Sequence, residues 1–213
     1  LLATRSPKLS IGVSRSGSPI IRIDGMYRPE NEIREDAGPY TSFAEILKDG
    51  KVFTGVESVL DVGCATGHLI EAIQRLEPDM TVAGLEYFAY HRDNAPSSVR
   101  DKIMLGDVRM PLDLDSQFDL VICTEVAEHI DPISLGVFLK NLRSICSKRL
   151  VLTWSGTYPP PGAPPQHLSS LRKGKVRKIM RGLGWSLDEE CTARTLHNLR
   201  RNARVYPWWQ DSF

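Results

Sequence analysis

From residue 40 onward the apolar positions keep two alternating rhythms. One is a short run, apolar at nearly every place; the other is a longer stretch with apolar residues three and four apart. YTSFAEILKDG (40–50) has the second rhythm and predicts a helix, with Thr41 or Ser42 near its N-cap and Gly50 stopping it. SVLDVG then predicts a buried strand, and GHLIEAIQRLEP an amphipathic helix ended by proline. TVAGLEY reads as a second strand, YHRDNAPSSVR as a broken helical connection, and IMLGDV as a third strand. FDLVICTEV is apolar on both faces, as a central parallel strand should be, and LGVFLKNLRSIC followed by RLVLTW gives a helix and a fifth strand. Strands separated by helices predict an α/β, doubly wound parallel sheet with its ligand at the carboxyl ends of the strands.

Outside that stretch the pattern is looser. Residues 1–38 are rich in Ser, Gly, Pro and charge, and IGVSRSGSPIIRI (11–23) predicts a small hairpin about a Ser-Gly-Ser-Pro turn. This divides the chain into an N-terminal arm, 1–38, and one domain, 39–213. After Trp154, SGTYPPPGAPPQH holds too many prolines for helix or central strand and predicts a loop on the ligand side. A basic helix at about 168–182, a strand at about 186–195, another short helix and PWWQDSF follow.

Composition narrows the function classes. The 213 residues are 41% hydrophobic and 25% charged, ordinary for one globular domain. No run approaches the roughly 18 apolar residues that span a bilayer, and no signal-peptide pattern opens the chain, so the expected setting is cytoplasmic and away from membranes. The four cysteines are scattered with no CxxC pair, against a disulfide framework or zinc ribbon. A start at Leu1 rather than Met predicts a piece of a longer chain. Net charge is +1 but unevenly spread: residues 1–131 carry 13 Lys/Arg against 22 Asp/Glu, and 132–213 carry 14 against 4. The basic segment LRKGKVRKIMR (171–181) suits either an anionic partner such as RNA or a plain solvated face. Nothing in the pattern assigns an oligomeric state.

Chemistry concentrates at the first strand-to-helix loop, DVGCATG. Gly63 and Gly67 permit a sharp turn and close ligand approach, and the helix that follows offers free N–H groups to an anion. With two glycines it is not the G-x-G-x-x-G of dinucleotide binders, and Asp61 would repel a pyrophosphate while accepting an ammonium group. Glu86 ends the second strand, where it can take two ribose hydroxyls, and Asp107 ends the third, where it can accept from an adenine amino group. Amine, carboxylate, sugar and base together describe S-adenosylmethionine (SAM). Tyr87 beside Glu86 can stack on the base or pack in the core, and Cys64 fills the loop; Val108 and Thr124 complete the expected cofactor lining.

LDVGCATG, GLE, GD and FDLVICTEVAEH, in that order over about residues 40–155, resemble the class I SAM-dependent methyltransferases. The resemblance implies a Rossmann-like, mostly parallel seven-stranded sheet flanked by helices. A looser similarity of the C-terminal region to other methyltransferase domains implies that a last strand begins near DSF and is truncated. In TEVAEHI, Glu125, Glu128 and His129 stand at i, i+3 and i+4, one face if the turn is helical. Two carboxylates and an imidazole can hold Mg²⁺ or Mn²⁺ and so acidify an acceptor hydroxyl; without metal, His129 would act as general base. The E-x-x-E-H stretch is similar to that of small-RNA 3′-terminal 2′-O-methyltransferases and of quinone-precursor O-methyltransferases. The resemblance to the RNA family implies His167 as a further ligand. The reading is therefore O-methylation of a hydroxylated small molecule, with Glu128, His129 and His167 catalytic; the alternatives are an RNA acceptor and a non-catalytic SAM-binding or partner-binding domain.

Overall fold

Five parallel strands in the order β5-β4-β3-β6-β7 form the sheet of the computed structural model, which describes residues 9–13, 19–23, 37–112, 114, 116–156, 167–206 and 209. They are β3 (Ser58–Val62), β4 (Thr81–Glu86), β5 (Ile103–Leu105), β6 (Phe118–Cys123) and β7 (Cys146–Leu152). β1 (Leu9–Val13) and β2 (Pro19–Ile23) pair antiparallel as a separate hairpin. The chain order reverses where β3 meets both β4 and β6, and at such a switch point the loops leaving adjacent strands diverge and open a crevice.

Alternation along the strands divides the core in two. Val59, Leu120 and Ile122 face one cluster with Phe43, Leu47, Ile70 and Ile73, supplied by α1 (Gly38–Asp49) and α2 (His68–Leu76). Leu60, Val62, Val121 and Cys123 face the other with Phe138 and Leu142 of α4 (Leu135–Ile145). α5 (Lys173–Gly182) lays Val176, Ile179 and Met180 on this second cluster, and α6 (Glu189–Arg201) buries Leu199 in the first. A short helix, α3 (Ala89–Asp93), follows β4. The result is a sheet between helical layers.

Two expectations change. The strand at 186–195 is instead the first half of α6: Asp188 caps it by accepting from Cys191 N–H at 2.9 Å, with Glu189 and Glu190 in the first turn and Arg200 and Arg201 in the last, charges that suit the helix dipole at both ends. α1 starts a turn before Thr41, because Pro39 serves in its first turn; the Thr41 hydroxyl donates back to Ala37 O at 3.1 Å rather than capping. Of the seven expected strands, five form the parallel sheet among the described residues. The proline-rich loop 157–166 and the DSF terminus lie outside the described residues. No helix among the described residues is long and apolar enough to cross a membrane.

Candidate functional site

β3, β4 and β5 each deliver a carboxylate to the same end of the sheet. Asp61 is buried at 4% exposure, and its pKa is pushed up to about 7 by burial, with the nearby Glu86 charge adding to the shift. Glu86, at 5% exposure, ties two loops together. Its Oε2 accepts from Ala65 N–H at 2.9 Å, and its Oε1 accepts from Phe88 N–H at 2.9 Å and lies 3.2 Å from Nδ1 of buried His91. Asp107 accepts from the Arg109 backbone N–H and Nε on Oδ1 (2.9 and 2.8 Å) and from an Arg109 terminal nitrogen on Oδ2 at 2.8 Å. Tyr87 stays 44% exposed beside this pair.

The loop between β3 and α2 is shaped for close approach. Gly63 and Gly67 both have φ of +76°, and a Cβ on Gly63 would stand 2.3 Å from Val126 Cγ2. That contact seats the turn after β6 directly on the glycine loop. Cys64 fills the space under the loop: a Cβ on Gly84 would come within 2.4 Å of its Sγ. Burial, reinforced by Asp61 and Glu86, pushes the Cys64 thiol well up, which keeps it a filler. Val108 packs on the second cluster, its carbonyl accepting from Asn141 at 2.8 Å, and Thr124 is half-buried between β6 and Glu125. Such a cradle, with three carboxylates of different burial around it, fits the amine, ribose and adenine of SAM.

The turn after β6 is not one helical face. Glu125 sits outside it at φ +57°, and only Ala127–His129 form a single 3₁₀ turn. Glu125 is turned onto buried Thr153, which receives its backbone N–H at 2.8 Å and donates to its Oε1 at 2.9 Å. Glu128, His129 and His167 do converge, with one ligand atom from each lying within 4.8 Å of the others. The two imidazoles pack edge to face at 5.1 Å between centroids. Glu128 is fully buried. Burial raises its pKa; its own backbone N–H, the His167 imidazole, Ser155 N–H and Glu125 pull the other way. The segment bearing His167 is pinned by Leu168 and Ser169 N–H donating to Glu128 O (2.7 and 2.9 Å) and by Trp154 Nε1 donating to Ser169 O at 2.6 Å.

Three groups here escaped the sequence reading. Thr153 and His91 carry no local signal, since buried polar residues declare themselves only once their partners are in place. Arg109 had one, an arginine two residues beyond the third-strand acid.

Comparison with known proteins agrees with this fold. A family profile described as "Methyltransferase domain" matches residues 31–190, well over half of the chain. No curated protein sequence matches. Among solved structures the fold is similar to magnesium protoporphyrin IX methyltransferase from Synechocystis PCC 6803 with bound SAH (TM-score 0.53, 18% identity, 70% of this chain and 76% of that one). It is also similar to an O-methyltransferase family protein from Burkholderia thailandensis (0.53, 14%, 67% and 50%). The mitomycin 7-O-methyltransferase matches comparably (0.52, 15%, 68% and 47%), so this chain spans about half the length of these last two. This protein belongs to the methyltransferase-domain family and is a class I SAM-dependent methyltransferase.

Proposed function

We propose that the acceptor is a hydroxyl oxygen on a small metabolite and that a divalent metal ion held by Glu128, His129 and His167 assists the transfer. The observation carrying this reading is the fully buried Glu128 carboxylate grouped with two imidazoles. Burial makes the ionised carboxylate expensive, and a cation compensates it. Two nitrogen donors beside one oxygen suit Mn²⁺ or another transition metal better than Mg²⁺.

SAM supplies an electrophilic methyl group on a sulfonium; the metal, when bound, supplies a Lewis acid for the hydroxyl. The chain does the rest. Asp61 receives the ammonium group, Glu86 the ribose hydroxyls and Asp107 the adenine amino group. Thr153 holds Glu125 to the rim, and the Gly63–Val126 contact fixes how far Glu128 and His129 stand from the cofactor loop. Orientation of donor and acceptor then provides much of the rate. Small hydroxylated acceptors have support from structural neighbours, since one, NcsB1 from neocarzinostatin biosynthesis, holds 1,4-dihydroxy-2-naphthoic acid (TM-score 0.50, 16% identity).

Manganese titration followed by electron paramagnetic resonance tests the metal. One site is expected in the wild type; Glu128→Gln and His167→Ala should each weaken it at least about tenfold, and Glu125→Ala should leave it within a few-fold. Equal Mn²⁺ affinity in wild type and Glu128→Gln would refute the assignment.

One observation favours RNA as a second reading of the acceptor. Residues 132–187 contain no Asp or Glu, and Lys173, Arg177 and Arg181 stack at i, i+4 along the exposed side of α5 with no ion pair among the described residues. Helices α2 and α6, by contrast, each pair one arginine, Arg75 and Arg194, with a glutamate four residues earlier. Binding of labelled single-stranded RNA that falls with salt, and falls further in a Lys173→Glu, Arg177→Glu double variant, would support this reading. Binding that these substitutions leave unchanged would remove it.

A further inference from the structure

Arg109 joins two neighbours that a nucleoside would meet. Its guanidinium grips Asp107 with Nε on one carboxylate oxygen and a terminal nitrogen on the other, each at 2.8 Å, while its backbone N–H adds a third bond at 2.9 Å. The same guanidinium lies over Tyr87, 5.0 Å from the ring centroid. Asp107 follows β5 and Tyr87 follows β4, so this one side chain spans the ends of two adjacent strands. The pair is open to the site rather than buried: the Arg109 and Asp107 side chains are 26% and 25% exposed.

We propose that Arg109 is a positioning residue that sets the cofactor's base specificity, by clamping Asp107 and Tyr87 into one fixed wall for the adenine. This rests on the cofactor role proposed above for Asp107. An ionised carboxylate offers about four lone-pair sites. Arg109 fills three of them, so the remaining one has a fixed direction and accepts an N–H donor of the kind that adenine's exocyclic amino group presents. It repels a carbonyl oxygen in the same place. The bidentate grip also matters for orientation: a lone aspartate at this open edge of the sheet would turn freely about χ1 and χ2, and a planar guanidinium on two oxygens removes that freedom. The cation over Tyr87 holds the ring as well, leaving its exposed surface for the base.

The test compares S-adenosylhomocysteine (SAH) with S-inosylhomocysteine, in which the amino group is replaced by a carbonyl oxygen, by calorimetric titration on the whole chain. The wild type should prefer SAH by about tenfold or more. In Arg109→Ala that preference should shrink to a few-fold, mainly through weaker SAH binding. Arg109→Lys keeps the charge without the fork and should recover affinity for SAH only partly. Asp107→Asn, measured beside them, separates the two ideas. If Asp107→Asn abolishes discrimination while Arg109→Ala retains it in full, the clamp is refuted and the Asp107 assignment stands. If Asp107→Asn leaves the preference intact, the adenine assignment of Asp107 falls, and the clamp with it. If Arg109→Ala weakens both ligands equally, its role is structural; if it binds SAH more tightly, Arg109 competes with the base. Either result overturns the proposal.

Discussion

The proposed assignment of the cofactor's amine to Asp61 predicts a pH dependence that can be calculated. The Asp61 pKa moves from 3.8 to about 7 because burial, aided by the Glu86 charge, disfavours the carboxylate. At about 1.4 kcal/mol for each pKa unit, a shift of this size corresponds to about 4 kcal/mol of strain once the group is ionised. The sign follows from proton binding. Between pH 3.8 and about 7 the folded chain holds a proton on Asp61 that the unfolded chain has lost, so this group's contribution to stability falls as pH rises through that window. Above about pH 7 the unliganded protein should therefore gain stability from Asp61→Asn, by about 2–4 kcal/mol. An ammonium ligand reverses the preference, because it needs the ionised form. Below about pH 7 SAH must displace a proton from Asp61, and its affinity should fall by up to about tenfold for each pH unit. Calorimetric titration of SAH between about pH 5.5 and about pH 7.5, in two buffers of different ionisation enthalpy, reads both quantities. The dissociation constant should rise at least about tenfold from the alkaline to the acid end, with release of about one proton at the acid end. Asp61→Asn should bind weakly and lack this slope. A flat wild-type profile, or the same slope in Asp61→Asn, would refute the assignment of the amine to Asp61.

Other perturbations are simpler. Gly63→Ala adds a left-handed residue and a Cβ 2.3 Å from Val126 Cγ2, so it should lower stability by about 2–4 kcal/mol in urea unfolding and weaken SAH binding. Thr153→Val strips the buried hydroxyl that receives Glu125 N–H and donates to its carboxylate; about 1–3 kcal/mol of stability should go, with a drop in turnover larger than any change in SAH affinity. Trp154→Phe removes the 2.6 Å bond to Ser169 O, and Mn²⁺ affinity should fall several-fold because the His167 segment loses one of its anchors while the fold persists.

How much of this was legible in the sequence varies by element. The buried strands announce themselves by their apolar runs, and FDLVIC is the plainest case, its Leu120 and Ile122 facing one core and Val121 and Cys123 the other. The glycine loop is legible because both glycines are forced by positive φ, and at Gly63 by a neighbour as well. SLDEECTARTLH misled because its apolar residues are sparse; the decisive signals were Asp188 as cap and the opposed end charges, which outweigh pattern at a helix start. At the site, spacing alone put Glu125 with Glu128 and His129. A left-handed φ at Glu125, which no spacing rule foretells, carries it onto Thr153. His167 was reachable only by resemblance: α4, β7 and the proline-rich stretch of sequence all intervene between it and His129, and a contact made across such a separation leaves no local trace.

The most direct test of the central claim is methyl transfer from tritiated SAM into a mixed phenol and catechol pool and, separately, into total RNA. Chelator-treated enzyme is compared with enzyme resupplied with Mn²⁺ or Mg²⁺, and Glu128→Gln is run alongside. The account predicts label in hydroxylated small molecules that chelation abolishes, Mn²⁺ restores and Glu128→Gln lacks. Undiminished transfer by the chelated enzyme and by Glu128→Gln would contradict it.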